Sequence, residues 1–230
     1  MTHDGAGARA LILQHGVWGP PALLAEWLDE RGIPYDVHHT YVGESMPDPS
    51  GYAFIASLGS DRNPNDTHES VAAELALLRR AVALDVPVLG LCFGGQALAV
   101  VLGGHVEAAP VPELGWTEIE TDEPELVSRG PWLQWHYDRF TPPPGATEIA
   151  RTDKASQAFR HGRHLGVQFH PESTVEVVEQ WAALDRERAG HVDMTATEEQ
   201  RGAARRAAFA LFDGFFERAT SAAPVAARRG

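Results

Sequence analysis

Alternating apolar and polar blocks divide the first hundred positions into strand-length and helix-length segments. Residues 10–15, ALILQH, form a short apolar run of buried-strand length. PPALLAEWLDERG follows, with Leu23, Leu24, Trp27 and Leu28 at helical spacing and Gly32 as a stop. IPYDVHHTY and YAFIASLG read as a second and a third strand, and the polar stretch SDRNPNDTHES reads as a loop. VAAELALLRRAVALD has the period of an amphipathic helix, VPVLGLC is a Val- and Leu-rich strand, and GGQALAVVLGG returns to a helical pattern. This alternation predicts an α/β fold: an open, mostly parallel central sheet with helices on both faces.

After about residue 104 the period changes. HVEAAPV, ELGWTEIE, WLQWHYDRF, TEIARTD, SQAFRHG and HLGVQFH are short strand candidates separated by Gly, Pro and Asp turns, which predict a small antiparallel portion. STVEVVEQWAALDRER predicts a helix with Ser173 as its N-cap. A polar break leads to an extra C-terminal helix over about 197–219, with Ala207, Ala208, Leu211, Phe212, Phe215 and Phe216 on one face. That stripe is expected to pack on its own domain; a partner or a second copy of the chain is the alternative occupant. No repeat or linker divides the sequence, so one domain is expected over 1–220, with a disordered tail over 221–230.

Composition narrows the class. The 230 residues are 43% hydrophobic and 22% charged, as in ordinary globular proteins. The formal net charge of −13 disfavours nucleic acid or an anionic membrane as a partner. A single cysteine precludes an intrachain disulfide, and neither a secretory signal nor a membrane-length apolar run is present, so a cytoplasmic location is expected. GAGARA, residues 5–10, precedes the first strand and therefore reads as a flexible terminus, not a dinucleotide loop. His161 and His164 lack a completing ligand set, so they read as solvated turn histidines and no metal or cofactor is expected. Trp132, Trp135 and Tyr137 are expected to pack or line a pocket, since no basic stripe accompanies them for base stacking.

The lone cysteine, Cys92, ends an apolar strand and opens a helix. In parallel sheets that edge binds ligands, and the helix N-terminus would favour a thiolate. Most isolated cysteines are inert core residues, and on this ground alone both readings stay open. The stretch LGVQFHPEST then ends another strand at His170, with Glu172 two residues on and able to share its side. A thiol nucleophile needs such a base, and the base needs a carboxylate to hold its tautomer.

GLCFGGQALA together with GVQFHPE resembles the class I, or triad-type, glutamine amidotransferase family, which carries a Cys-x-Gly-x-Gln elbow and a His-Pro-Glu segment. The two motifs occur in that order, about 80 residues apart, and the resemblance covers about 10–185. ELGW (113–116) and WHYDRFTPPPGA (135–146) are similar to the stand-alone branch related to the amidotransferase part of GMP synthase. The resemblance implies a flavodoxin-like sheet and attack of Cys92 on the side-chain amide of glutamine. His170 would act as acid and base, with Glu172 orienting it, and a γ-glutamyl thioester would be hydrolysed by water. It further implies an oxyanion hole at Gly59 and Phe93, and substrate binding by Gln96 and the backbone of Trp135, His136 and Tyr137.

One departure stands out. The family pattern has Gly-Gly where this chain has Leu58-Gly59-Ser60, and Leu58 lacks the second glycine's access to positive φ, so an altered oxyanion loop is expected. Asp138 could contact an acceptor or cap a turn. No P-loop is found, so ammonia delivery would require a separate synthetase subunit. The rival readings are a γ-glutamyl peptidase and a non-catalytic module that binds glutamine or a partner; an intact triad argues against the second.

Overall fold

The structure is a computed structural model that describes residues 9–189 and 195–221. The expectations for residues 5–8, for the tail over 222–230 and for part of the polar break lie outside the described residues. Strands β1 (Ala10–Gln14), β2 (Tyr35–His39), β3 (Phe54–Ser57) and β4 (Val88–Leu91) lie parallel, with α1 (Ala22–Arg31), α2 (Glu69–Ala83) and α3 (Phe93–Val101) in the connections or directly after. Four more strands follow, β5 (His105–Thr117), β6 (Glu120–Thr121), β7 (Trp132–Thr141) and β8 (Thr147–Arg151), and then β9 (Ser156–His161) and β10 (His164–Val167). The chain ends in α4 (Val175–Leu184), α5 (Arg186–Ala189) and α6 (Glu198–Thr220). The main sheet runs β2-β1-β3-β4-β10-β9-β8-β6, while β5 and β7 form a separate antiparallel pair. Strands up to β10 are parallel and the rest antiparallel, so the expected mixed α/β architecture is present.

The two-residue period of β1 explains the layers. Ala10 and Ile12 face one core with Trp27 and Leu28 of α1 and Phe212 and Phe215 of α6. Leu11 and Leu13 face the other, with Val71 and Leu78 of α2 and Leu98 of α3. The C-terminal helix packs on its own chain: Phe212 lies 5.8 Å from Trp27 between ring centroids, and Phe215 lies 5.4 Å from Phe54. Asp213 accepts hydrogen bonds from Trp27 and Arg31, which ties α6 to α1. No described helix is long and apolar enough to cross a membrane.

Four local expectations are corrected. HVEAAPV and the start of ELGWTEIE are one bulged strand, with the register shifting between Ala108 and Glu113. Pro110 and Pro112 fall in the bulge, where a missing N–H breaks no ladder bond. The cap of α4 is Thr174 and not Ser173: the Thr174 hydroxyl accepts from the Val177 amide, and Thr174 keeps the extended backbone a cap requires. The predicted helix over 173–188 breaks at Asp185, whose backbone leaves the helical region and whose carboxylate accepts from the Tyr137 hydroxyl.

The fourth concerns His164, which is buried rather than solvated, and whose Nδ1 accepts the Val88 amide proton at 3.1 Å. Burial, with His161 beside it, lowers its pKa to about 4. Folding therefore excludes a proton that the unfolded chain binds below about 6.5, and stability is lost as pH falls from there towards 4. The shift corresponds to about 3 kcal/mol at the acid end. In His164→Gln, whose amide oxygen can still accept from Val88, the decline in unfolding free energy between these pH values is expected to shrink by about that amount. Denaturant titrations across the range measure it, and an equal decline in both proteins would refute the assignment.

Candidate active site

Cys92 sits between β4 and α3 with φ 52° and ψ −106°, a conformation L-residues rarely adopt. Such a backbone costs on the order of 1–3 kcal/mol and persists only where its surroundings hold it. The Cys92 amide donates to the Val167 carbonyl at 2.9 Å, the Cys92 carbonyl accepts from the Gln96 amide, and the Gly94 amide donates to the Leu58 carbonyl. The elbow also needs bare glycines. A Cβ on Gly94 would lie 2.0 Å from the Ser57 carbonyl oxygen, and one on Gly95 would lie 2.4 Å from that of Val167.

The register of β10 on β4, Val167 beside Leu91, brings the second motif alongside the first. Gln168 comes next to the cysteine, its Nε2 3.8 Å from Sγ, and His170 follows two residues later. The His170 amide donates to the Leu133 carbonyl, and the Trp181 ring meets the imidazole edge-on at 4.9 Å. His170 Nδ1 lies 2.8 Å from Glu172 Oε1, both side chains 4% exposed. This pairing fixes the proton on Nδ1 and leaves Nε2 for the sulfur.

Burial by itself would lower the His170 pKa. The negative charges of Cys92 and Glu172 and their hydrogen bonds outweigh it, holding the imidazole well above its ordinary 6.5. Because the folded His170 pKa is raised, the stabilisation from its protonated form is complete below about 6.5 and is lost as pH rises through the folded value.

Cys92, His170, Glu172, Gly59, Phe93, Gln96, Trp135, His136 and Tyr137 all line one cleft of about 450 Å³. Cys92 Sγ lies 3.8 Å from the Trp135 carbonyl oxygen. Gln96 Nε2 donates to the Asp138 carbonyl at 3.2 Å, while the Asp138 carboxylate accepts from Asn63. His136 turns to a buried network: its Nε2 lies 3.3 Å from Glu113, which accepts from Gln157, which in turn accepts from Gln134. Trp132 stacks on Phe169 in the core, whereas Trp135 and Tyr137 line the cleft.

At the Leu58 departure the backbone avoids the conformation that favours glycine. Neither Leu58 nor Gly59 takes positive φ, and the Leu58 side chain is 1% exposed in the core beneath the loop. Gly59 is required for another reason: a Cβ there would stand 2.6 Å from Cε1 of His170.

Several residues in or beside the cleft escaped sequence reasoning. Gln168 shares the face of His170 by the two-residue period, a signal present in QFHPE. Trp181 and Trp18, whose carbonyl accepts from the Trp181 indole, come from elements far apart in sequence, and so do His15 and Glu74. Among the described residues no group of three or more His, Cys, Asp or Glu is arranged to hold a metal.

A family model described as glutamine amidotransferase class-I matches residues 52–181, more than half of the chain. The chain belongs to the class-I glutamine amidotransferase family. Members of this family are cysteine-dependent amidohydrolases, and the matched span includes the elbow and the His-Pro-Glu turn. A GMP synthase [glutamine-hydrolyzing] from Aeropyrum pernix is 35% identical over 157 residues, which cover 62% of this chain and 29% of that protein. The chain spans about a third of the length of such curated relatives. A glutamine amidotransferase-like protein from Salmonella typhimurium is 29% identical over 170 residues, covering 67% of this chain and 71% of that one. The crystal structure of a glutamine amidotransferase from Methylobacillus flagellatus superposes with a TM-score of 0.82 at 26% identity, covering 91% of this chain and 94% of that one.

In this amidotransferase-family site, Gly59→Ala is expected to push the imidazole out of line with Cys92 and weaken the thiolate. Iodoacetamide alkylation at neutral pH should slow about tenfold. An unchanged rate would show that the loop absorbs the methyl group.

Proposed function

We propose that this chain hydrolyses the side-chain amide of glutamine and passes the ammonia to a separate synthetase partner. The observation that carries the reading is the buried His170–Glu172 pair, its Nε2 left to the sulfur of a strained elbow cysteine. The Cys92 thiolate attacks Cδ of glutamine, forming a C–S bond while the carbonyl π electrons move to oxygen. The amides of Gly59 and Phe93 stabilise that oxyanion, the latter at the N-terminus of α3. Collapse of the tetrahedral species breaks the C–N bond, and His170 gives its Nε2 proton to the departing ammonia. Water, deprotonated by the same nitrogen, then attacks the γ-glutamyl thioester, and glutamate leaves as the thiol re-forms. Glu172 keeps the imidazole oriented and favours its protonated form. Gln96 and the backbone of Trp135–Tyr137 hold the amino-acid end of the substrate.

A γ-glutamyl amide with a larger leaving group is the second reading. Trp18, Trp135 and Trp181 give the cleft apolar surface that ammonia leaves unused. Comparing ammonia release from glutamine with amine release from γ-glutamyl peptides separates the two. Cys92→Ala should abolish both, together with covalent labelling by a glutamine-like electrophile; labelling that persists would refute the nucleophile.

The charge balance at His170 sets the pH dependence. Glu172→Gln removes one of the charges that raise its pKa, so the alkaline limb of kcat/KM for glutamine is expected to move to lower pH. An unmoved limb would show that Glu172 does not act on the titrating group.

A further inference from the structure

A second buried His–Glu pair stands behind the cleft, outside the roles assigned above. His15 follows β1, and Glu74 projects from α2; their Nε2 and Oε2 atoms are 2.6 Å apart, with side-chain exposures of 6% and 1%. Each of their other polar atoms is also engaged. His15 Nδ1 lies 3.0 Å from the Gly59 carbonyl oxygen, and Glu74 Oε1 accepts from the Ser57 hydroxyl at 2.6 Å. A carbonyl only accepts, so Nδ1 must carry a proton. One further proton is then shared along the Nε2–Oε2 contact, whichever of the two groups formally holds it. The same imidazole meets the Phe93 ring edge-on at 4.8 Å. His15 therefore touches both residues proposed to supply the oxyanion donors.

We propose that His15 and Glu74 are positioning residues that clamp the oxyanion loop. Gly59 has more backbone freedom than any residue with a side chain, yet its amide must keep one direction. The peptide before it is fixed by the Gly94 amide on the Leu58 carbonyl, which leaves the Gly59 N–H pointing the opposite way. The peptide after it is fixed by His15 on the Gly59 carbonyl. Glu74, anchored through Ser57 to the end of β3, keeps the His15 ring in the orientation that donates from Nδ1.

This inference rests on the glutaminase reading, and its test keeps the two apart. His15→Leu removes the donor to Gly59, whereas His15→Asn places an amide N–H near the position of Nδ1. For His15→Leu, kcat for glutamine is expected to fall about 10²-fold with KM changed by less than about threefold. Iodoacetamide alkylation of Cys92, which uses no oxyanion hole, should stay within about threefold of the parent, and amide exchange over residues 58–62 should quicken about tenfold. His15→Asn should recover about tenfold of the lost kcat.

A kcat for His15→Leu near the parental value would overturn the proposal. So would alkylation falling in step with kcat, or His15→Asn performing no better than His15→Leu. If His15→Leu does not fold, Glu74→Met carries the same test: it removes the partners of both the Ser57 hydroxyl and His15 Nε2, so kcat should fall while alkylation holds. If the parent itself does not turn over glutamine, the glutaminase reading fails. The exchange rate over 58–62 then decides the clamp, and an unchanged rate overturns it.

Discussion

The hydrogen bond from the Cys92 amide to the Val167 carbonyl is the constraint on which the site depends. It continues the β4–β10 ladder by one step, at the point where β4 turns into α3 through a left-handed residue. The strain of that residue is local, and what opposes it is tertiary: the ladder bond on one side, the helix on the other, and glycines packed against the Ser57 and Val167 carbonyls. Because Val167 is three residues before His170, the bond that holds Cys92 also sets the distance at which His170 arrives. A slip of one residue in this pairing would turn His170 to the opposite face of its segment.

Charge balance does the second part of the work. A buried imidazole flanked only by apolar groups would lose its proton readily, whereas a buried thiolate and carboxylate beside it reverse that tendency. The carboxylate comes from two residues along the same turn, so little chain entropy opposes the pairing. Around this centre the chain places further polar pairs that are themselves satisfied by the backbone, His15 with Gly59 and Gln96 with Asp138. An unpartnered buried group in these positions would be costly, and each of these contacts also fixes a segment of the cleft wall.

The elements that repeat a period were legible in the sequence. α1, α2 and the aromatic stripe of α6 fall where their apolar spacing put them, and the strands of the parallel half fall on apolar runs. The breaks are where one-dimensional reading failed. Two prolines concealed a continuous bulged strand, and a helix ends at Asp185, whose carboxylate accepts from Tyr137, distant in sequence. His164 looked solvated beside a turn glycine, yet it takes the Val88 amide across the β4–β10 seam.

What the sequence determined by itself is the set of motif residues and the family they signal. Cys92, His170 and Glu172 stand in motifs whose spacing along the chain is enough to recognise them. It also determined the two faces of the sheet, since side chains alternate on a strand whatever its neighbours are. Only the tertiary structure decided that β4 and β10 are adjacent, and hence that these motifs meet. It alone showed why Gly59 must be bare, and it alone brought His15 and Glu74 together behind the loop. The physical reason is that strand order and close approach are settled by long-range packing, which local periodicity does not encode.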